Sequence, residues 1–128
     1  MQDHAMKSML VEYMDKGFLE NIMAMFKQDS SLYRFIADML GDDNLRVRLG
    51  ATALVEELAG DHLQELRAAV PGIIGLLTHE NPTIRGDAVS ALGIIKDPSS
   101  ISALRACLQD VHPGVREVAR DALSEMGL

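Results

Sequence analysis

An all-α chain built from a repeated helix pair is what this sequence predicts, and three observations predict it. Three segments align on one another without gaps, their apolar residues recur at helical spacing, and no alternating strand pattern of useful length occurs between them. The segments are NLRVRLGATALVEEL from Asn44, NPTIRGDAVSALGII from Asn81 and HPGVREVARDALSEM from His112. In each, a β-branched residue (Val47, Ile84, Val115) precedes an arginine (Arg48, Arg85, Arg116), and an alanine (Ala51, Ala88, Ala119) stands three residues further on. Leu54, Ala91 and Ala122, then Val55, Leu92 and Leu123, then Leu58, Ile95 and Met126 complete the pattern. Offsets 0, 4, 7, 8 and 11 from the first apolar position define one face of an α-helix.

The elements follow in chain order. MKSMLVEYMDK and FLENIMAMFKQ read as two helices separated near Gly17. All five aromatics and six of the eight methionines (Met1, Met6, Met9, Met14, Met23, Met25) fall within the first 35 residues, so this third is built from different material. Large adaptable side chains suit a cap over the open end of a helical stack, and an exposed part of them would suit self-association or a partner. Each repeat segment is preceded, four residues back, by a leucine (Leu40, Leu77, Leu108) that closes its own amphipathic run: LYRFIADML, VPGIIGLL and ISALRACL. The unit is therefore helix, turn, helix. The arginines are spaced 37 and then 31 residues apart, and the six extra residues are assigned to AGDHLQ, lengthening the first helix of the middle unit. Asn81-Pro82, His112-Pro113 and Asp97-Pro98 each pair an N-cap with a proline at the first helical position. Asp29-Ser30-Ser31 and Asp61 with Gln64 are further capping candidates. Pro71 predicts a kink or a split in its helix. The whole is expected to form one domain over residues 1–128, with a cap over 1–30 and units over 31–60, 61–97 and 98–128.

NPTIRGDAVSALG, HPGVREVARDALSEMG and, less closely, NLRVRLGATALVEELAG resemble HEAT repeats of the short bacterial and archaeal kind called PBS-lyase HEAT-like repeats. That resemblance covers about residues 32 to 127. It implies a right-handed superhelix of antiparallel helix pairs, an α-solenoid of the armadillo-like class, and points to a prokaryotic source. It also implies that Asn44 and Asn81, with Arg48, Arg85 and Arg116, act as structural ties of the repeat. The residues agree: each arginine has the same place near its helix start, with acidic or amide residues in the preceding turn, so a structural role is preferred to an anion-binding ladder.

Composition excludes several functions. Net charge is −7 and neither half carries a basic surplus, so no nucleic-acid partner is expected. No apolar run approaches a bilayer span and the start lacks a secretory signal, so no membrane is expected and the compartment expected is the cytoplasm. Cys107 falls on an apolar helix face with Ile101, Leu104 and Leu108 and reads as a buried structural thiol. The four histidines (His4, His62, His79, His112) form no metal or nucleophile motif. His79-Glu80 invites comparison with deoxyhypusine hydroxylase, a HEAT-repeat enzyme whose iron ligands come from several His-Glu pairs, but the matching turns here read Asp43-Asn44 and Val111-His112. The expectation is accordingly no enzyme, no catalytic residue, no metal and no cofactor.

Function is expected on the face of the second helices opposite the core, lined by Leu49, Ala53 and Glu56, by Gly86, Ser90 and Gly93, and by Glu117, Asp121 and Ser124. This face passes from small and partly apolar to acidic. It suits a protein or peptide segment with basic character at one end. An accessory role resembling that of phycobilin lyases, and self-association through the N-terminal cap, are the competing expectations.

Overall fold

The structure, a computed structural model, describes residues 2–128. Met1, counted above among the methionines, lies outside the described residues. Helices α1 (Gln2–Asp15) and α2 (Leu19–Gln28) are separated at Gly17. Its φ of +86° is a backbone that glycine adopts without a Cβ penalty, and it lets the Phe18 N–H return to the Tyr13 carbonyl at 2.9 Å. After α2, the Asp29 carboxylate accepts the Ser31 N–H at 3.0 Å and opens a 3₁₀ turn, Ser30–Phe35, that runs into α3 (Ile36–Leu40).

The repeats then alternate short outer helices with longer inner ones. α4 (Leu45–Asp61) is followed by the broken run of α5 (Leu63–Leu66), a 3₁₀ turn (Arg67–Ala69) and α6 (Val70–Gly75), and then by α7 (Pro82–Ile95). A 3₁₀ turn (Pro98–Ser100) leads into α8 (Ile101–Cys107), and α9 (Pro113–Glu125) closes the array. Each inner helix starts on a side-chain cap. Asn44 accepts the Arg46 N–H at 2.9 Å, Asn81 accepts the Thr83 N–H at 2.9 Å, and His112 accepts the Gly114 N–H through Nδ1 at 3.0 Å. Asp97 does the same for Ser99 at 2.9 Å.

The extra residues of the longer spacing fall partly where expected, in the turn of α5 that lengthens the outer run of the middle unit, and partly in α4, which spans 17 residues against 14 in α7. Asp61 does not cap α5 with Gln64. It is the last residue of α4, and its carboxylate is held by His62 at 2.8 Å and Lys27 at 3.3 Å. Pro71 splits its helix, standing in the first turn of α6, where its missing N–H leaves no bond unmade.

The aligned apolar positions form the core. Val47, Ala51, Leu54, Val55 and Leu58 are buried in α4, as are Ile84, Ala88, Ala91, Leu92 and Ile95 in α7, and Val115, Ala119, Ala122 and Leu123 in α9; Met126 alone of the pattern is half-buried. α4 packs on α7 and α7 on α9, while α3, α6 and α8 cover them from outside. α1 and α2 lie against α4 and bury Leu10, Met14, Ile22 and Phe26 there. Met14 crosses α4 directly over Gly50, a position that has no room for a Cβ. No strand occurs among the described residues, and the fold is an all-α HEAT-repeat solenoid.

Candidate partner-binding surface

A recurrent turn positions each inner helix and hence the surface between them. Asp42, His79 and Asp110 are the same position in the three units. Each accepts, through its side chain, the N–H of the cap residue two places on: Asp42 from Asn44 at 2.8 Å, His79 from Asn81 at 3.0 Å, Asp110 from His112 at 2.9 Å. The carbonyl of the same residue accepts from the arginine six places on. Arg48 reaches the Asp42 and Asp43 carbonyls, both at 2.8 Å; Arg85 reaches those of His79 and Glu80 at 2.8 and 3.2 Å; Arg116 reaches those of Asp110 and Val111 at 2.7 and 3.3 Å. One guanidinium nitrogen thus closes each turn against its own helix.

Arg85 alone of the three also reaches the next unit. Its Nε and Nη2 donate to the two oxygens of Asp110 at 2.9 and 3.0 Å, a bidentate pair with both side chains nearly buried. The Arg85 hydrogen bonds hold the Asp110 carboxyl below the usual carboxylate range, against the opposing effect of burial. Asp87 of α7 is pushed above that range by burial, and the charge of Arg48 counteracts this. Burial likewise pushes the Cys107 thiol up, as fits an inert core thiol.

The surface itself is a groove between α7 and α9. A cavity of about 480 Å³ is lined by Ser90, Gly93, Ile94 and Lys96 from α7 and its C-cap, and by Val118, Asp121, Ala122 and Glu125 from α9. It adjoins a second hollow of about 250 Å³ toward the helix starts, where Gly86, Asp87, Val115 and Val118 meet His112. Across the face, α4 presents Leu45 and Leu49, one turn apart and 56% and 61% exposed, which leaves two leucines uncovered on one side of a helix.

The sequence-expected surface residues are therefore divided. Ser90, Gly93 and Asp121 line the main groove, Gly86 lines its extension, and Leu49 stands exposed on α4. Ala53 is half-buried, and Glu56, Glu117 and Ser124 are exposed outside the two hollows. Gly93 departs from its expected exposure. It is buried because α9 approaches so closely that a Cβ there would lie 2.9 Å from the Ala122 Cβ, so it forms the floor of the groove. Asp87, Ile94, Val118 and Glu125 were not expected. Periodicity finds the crest of a helix opposite its core, whereas a groove between neighbours is lined by their facing flanks.

Fold and surface together define a class. The family profile described as HEAT repeats matches residues 36–124, well over half of the chain, and the chain belongs to that family. HEAT repeats commonly mediate protein interactions. Among curated proteins the chain is similar to deoxyhypusine hydroxylase of Mus musculus, with 38% identity over 76 residues. The match covers 56% of this chain and 25% of the mouse protein. That relative is an enzyme, and the similarity overturns the expectation of no enzyme. The geometry at His79-Glu80 is that of a turn. His79 Nδ1 is taken by the Asn81 N–H, both carbonyls by Arg85, and Glu80 is exposed. Among the described residues no three or more His, Cys, Asp or Glu side chains gather in a form that would hold a metal ion. Among the described residues no helix is long and apolar enough to cross a membrane.

Proposed function

We propose that the chain is a protein-binding module whose inner face, from α4 across α7 to α9, receives a segment of another protein that is apolar at one end and basic at the other. The observation that carries this reading is the gradient along that face. Leu45 and Leu49 are open at the α4 edge, and the groove is lined by Asp121 and Glu125, with Lys96 the one cation lining it among the described residues. A small-residue floor at Gly86, Ser90 and Gly93 leaves space for side chains of the segment. Residues 1–30 serve in this reading as the cap of the array, with units over 31–60, 61–97 and 98–128. The PBS-lyase kinship suggested by NPTIRGDAVSALG belongs to the same reading, as does a cytoplasmic setting, which suits the lone reduced Cys107.

The similarity to deoxyhypusine hydroxylase supports a second reading, in which the bound segment is also what a larger HEAT-repeat enzyme of that kind acts on. Among the described residues His79-Glu80 is a single pair and does not by itself make a metal centre.

The test is capture from native extract with the wild-type chain, Ser90→Arg and Leu49→Asp, each checked for an unchanged helical circular dichroism spectrum. Both variants are expected to lose at least tenfold in affinity for the segment recovered. Unchanged capture by both would remove this face from consideration. Iron or zinc found in stoichiometric amount in the purified chain would favour the second reading.

A further inference from the structure

The hydrogen bonds divide the array into two blocks. Among the described residues, every ion pair and every side-chain hydrogen bond lies either within residues 2–62 or within residues 63–128. In the first block Lys27 pairs with Glu57 at 2.9 Å, Arg34 with Asp3 at 2.7 Å, and Asn44 donates to Asp15 at 2.7 Å, so α1 and α2 are tied to the elements they cover. In the second block the Arg85–Asp110 fork ties α7 to the α8–α9 turn. Between the blocks no such bond forms: the charge of Arg48 acts on Asp87 of α7 without a hydrogen bond or ion pair, and the close contacts are apolar, with Leu76 over Gly41 and Ala37 over Gly72 and ideal Cβ positions at the two glycines only 2.9 and 3.0 Å from those side chains. These contacts join α3 to the α6 region on the outer side.

On the inner side, between α4 and α7, the tie is missing for a chemical reason. By the register of the repeat, the residue that answers Arg85 is Asp110, and the residue that would answer Arg48 is His79. A carboxylate can accept the cap N–H and still offer both oxygens to a guanidinium fork. An imidazole has one acceptor nitrogen when neutral; at His79 that is Nδ1, and the Asn81 N–H occupies it, so Nε2 carries the proton and cannot accept. Arg48, 9% exposed, consequently bonds only the carbonyls of its own turn, and its buried Nε has no partner. Packing differs in the same sense. Ala122 of α9 seats on Gly93 of α7, but the residue that matches Gly93 in α4 is Glu56, whose long side chain leaves no such seat for α7.

We propose that the α4–α7 junction is the compliant joint of this array, pivoting on the close α3–α6 contacts and opening on the inner face, and that His79 keeps it so by occupying the place of a tying carboxylate. Apolar contact is non-directional and tolerates small rotations that a bidentate ion pair resists. The two blocks move as units about this seam, and the width of the inner face between α4 and α7 changes with them.

The experiment is pulsed dipolar spectroscopy on spin labels at Ala24 and Ser124, exposed positions in the two blocks, with Ser102 and Ser124 as a pair within the second block, all in a Cys107→Ala background. The distance distribution across the seam is expected to be at least twice as broad as that within the block. His79→Asp is expected to narrow the cross-seam distribution toward the within-block width and to raise Tm, and adding Arg48→Lys, which keeps the charge but not the fork, should reverse both. Asp110→His offers a reading that does not depend on the first substitution, since it should broaden the Ser102–Ser124 distribution. A cross-seam distribution as narrow as the within-block one in the unsubstituted chain would overturn the proposal. So would a folded His79→Asp chain with unchanged width.

Discussion

At the scale of the residue, Arg85 shows how one side chain serves two levels of structure. Its Nη1 closes the turn before its own helix while its Nε and Nη2 hold Asp110 of the next unit. Truncation to alanine removes both, leaving a nearly buried carboxylate without its partner. Arg85→Ala is expected to lower Tm by roughly 5–10 °C, measured by thermal melting. The sign with pH follows from Asp110, whose folded-state pKa is lowered chiefly by the Arg85 hydrogen bonds. Its contribution is present above the unfolded value of about 4 and is lost as pH falls through the lower folded value. The Tm gap between wild type and Asp110→Asn should therefore be full at pH 7 and close progressively below about pH 4. A gap independent of pH would show that the ion pair contributes nothing beyond its shape. The caps are equally local. The Asn81 side chain could be assigned from the Asn-Pro dipeptide alone, because capping depends on neighbours in sequence.

At the scale of the element, α7 carries two glycines whose roles differ although each costs the helix the same propensity. Gly86 faces open space, with nothing within 4 Å of an added Cβ, and Gly93 faces Ala122 at 2.9 Å and the Ala122 Cα at 3.1 Å. Gly86→Ala should stabilise by about 0.5–1 kcal/mol through helix propensity and a less free unfolded chain. Gly93→Ala should destabilise by about 1–2 kcal/mol, because overpacking against backbone outweighs the same propensity gain. Urea denaturation of the two variants checks the sign of each, and equal effects would mean that the α7–α9 approach is softer than these distances require. The helix itself was legible from its apolar offsets. The burial of Gly93 was not, since a helical wheel records which side of one helix is apolar and says nothing about how near the next helix comes.

At the scale of the whole molecule, charge is distributed so that the inner face has a direction. Asp87, Asp121 and Glu125 gather along α7 and α9, while the α4 edge offers Leu45 and Leu49. If the segment bound there is basic toward α9, raising NaCl from 50 to 500 mM should weaken binding several-fold through screening, and Leu49→Asp should weaken it without changing the salt slope. Isothermal titration of the recovered segment at the two salt concentrations measures both; a salt-independent affinity would discard the charge assignment while leaving the apolar edge intact. The same scale corrects the enzymatic expectation. Scattered histidines argued against an enzyme, but the relative that the chain resembles over 76 residues, 25% of that relative's length, is a hydroxylase.

What the sequence by itself determined is everything that repeats or acts between near neighbours. The helix pairs, the caps at Asn81, Asp97 and His112, and the buried alanines with their apolar partners all follow from spacing and backbone chemistry between near neighbours. What the tertiary structure decided is how copies meet. The groove lies on facing flanks, Gly93 became its floor, part of the extra length went to α4, and Arg85 forks onto a carboxylate where Arg48 does not. Those outcomes depend on interhelical distances set by side-chain volumes on both partners at once, a quantity that no single segment contains.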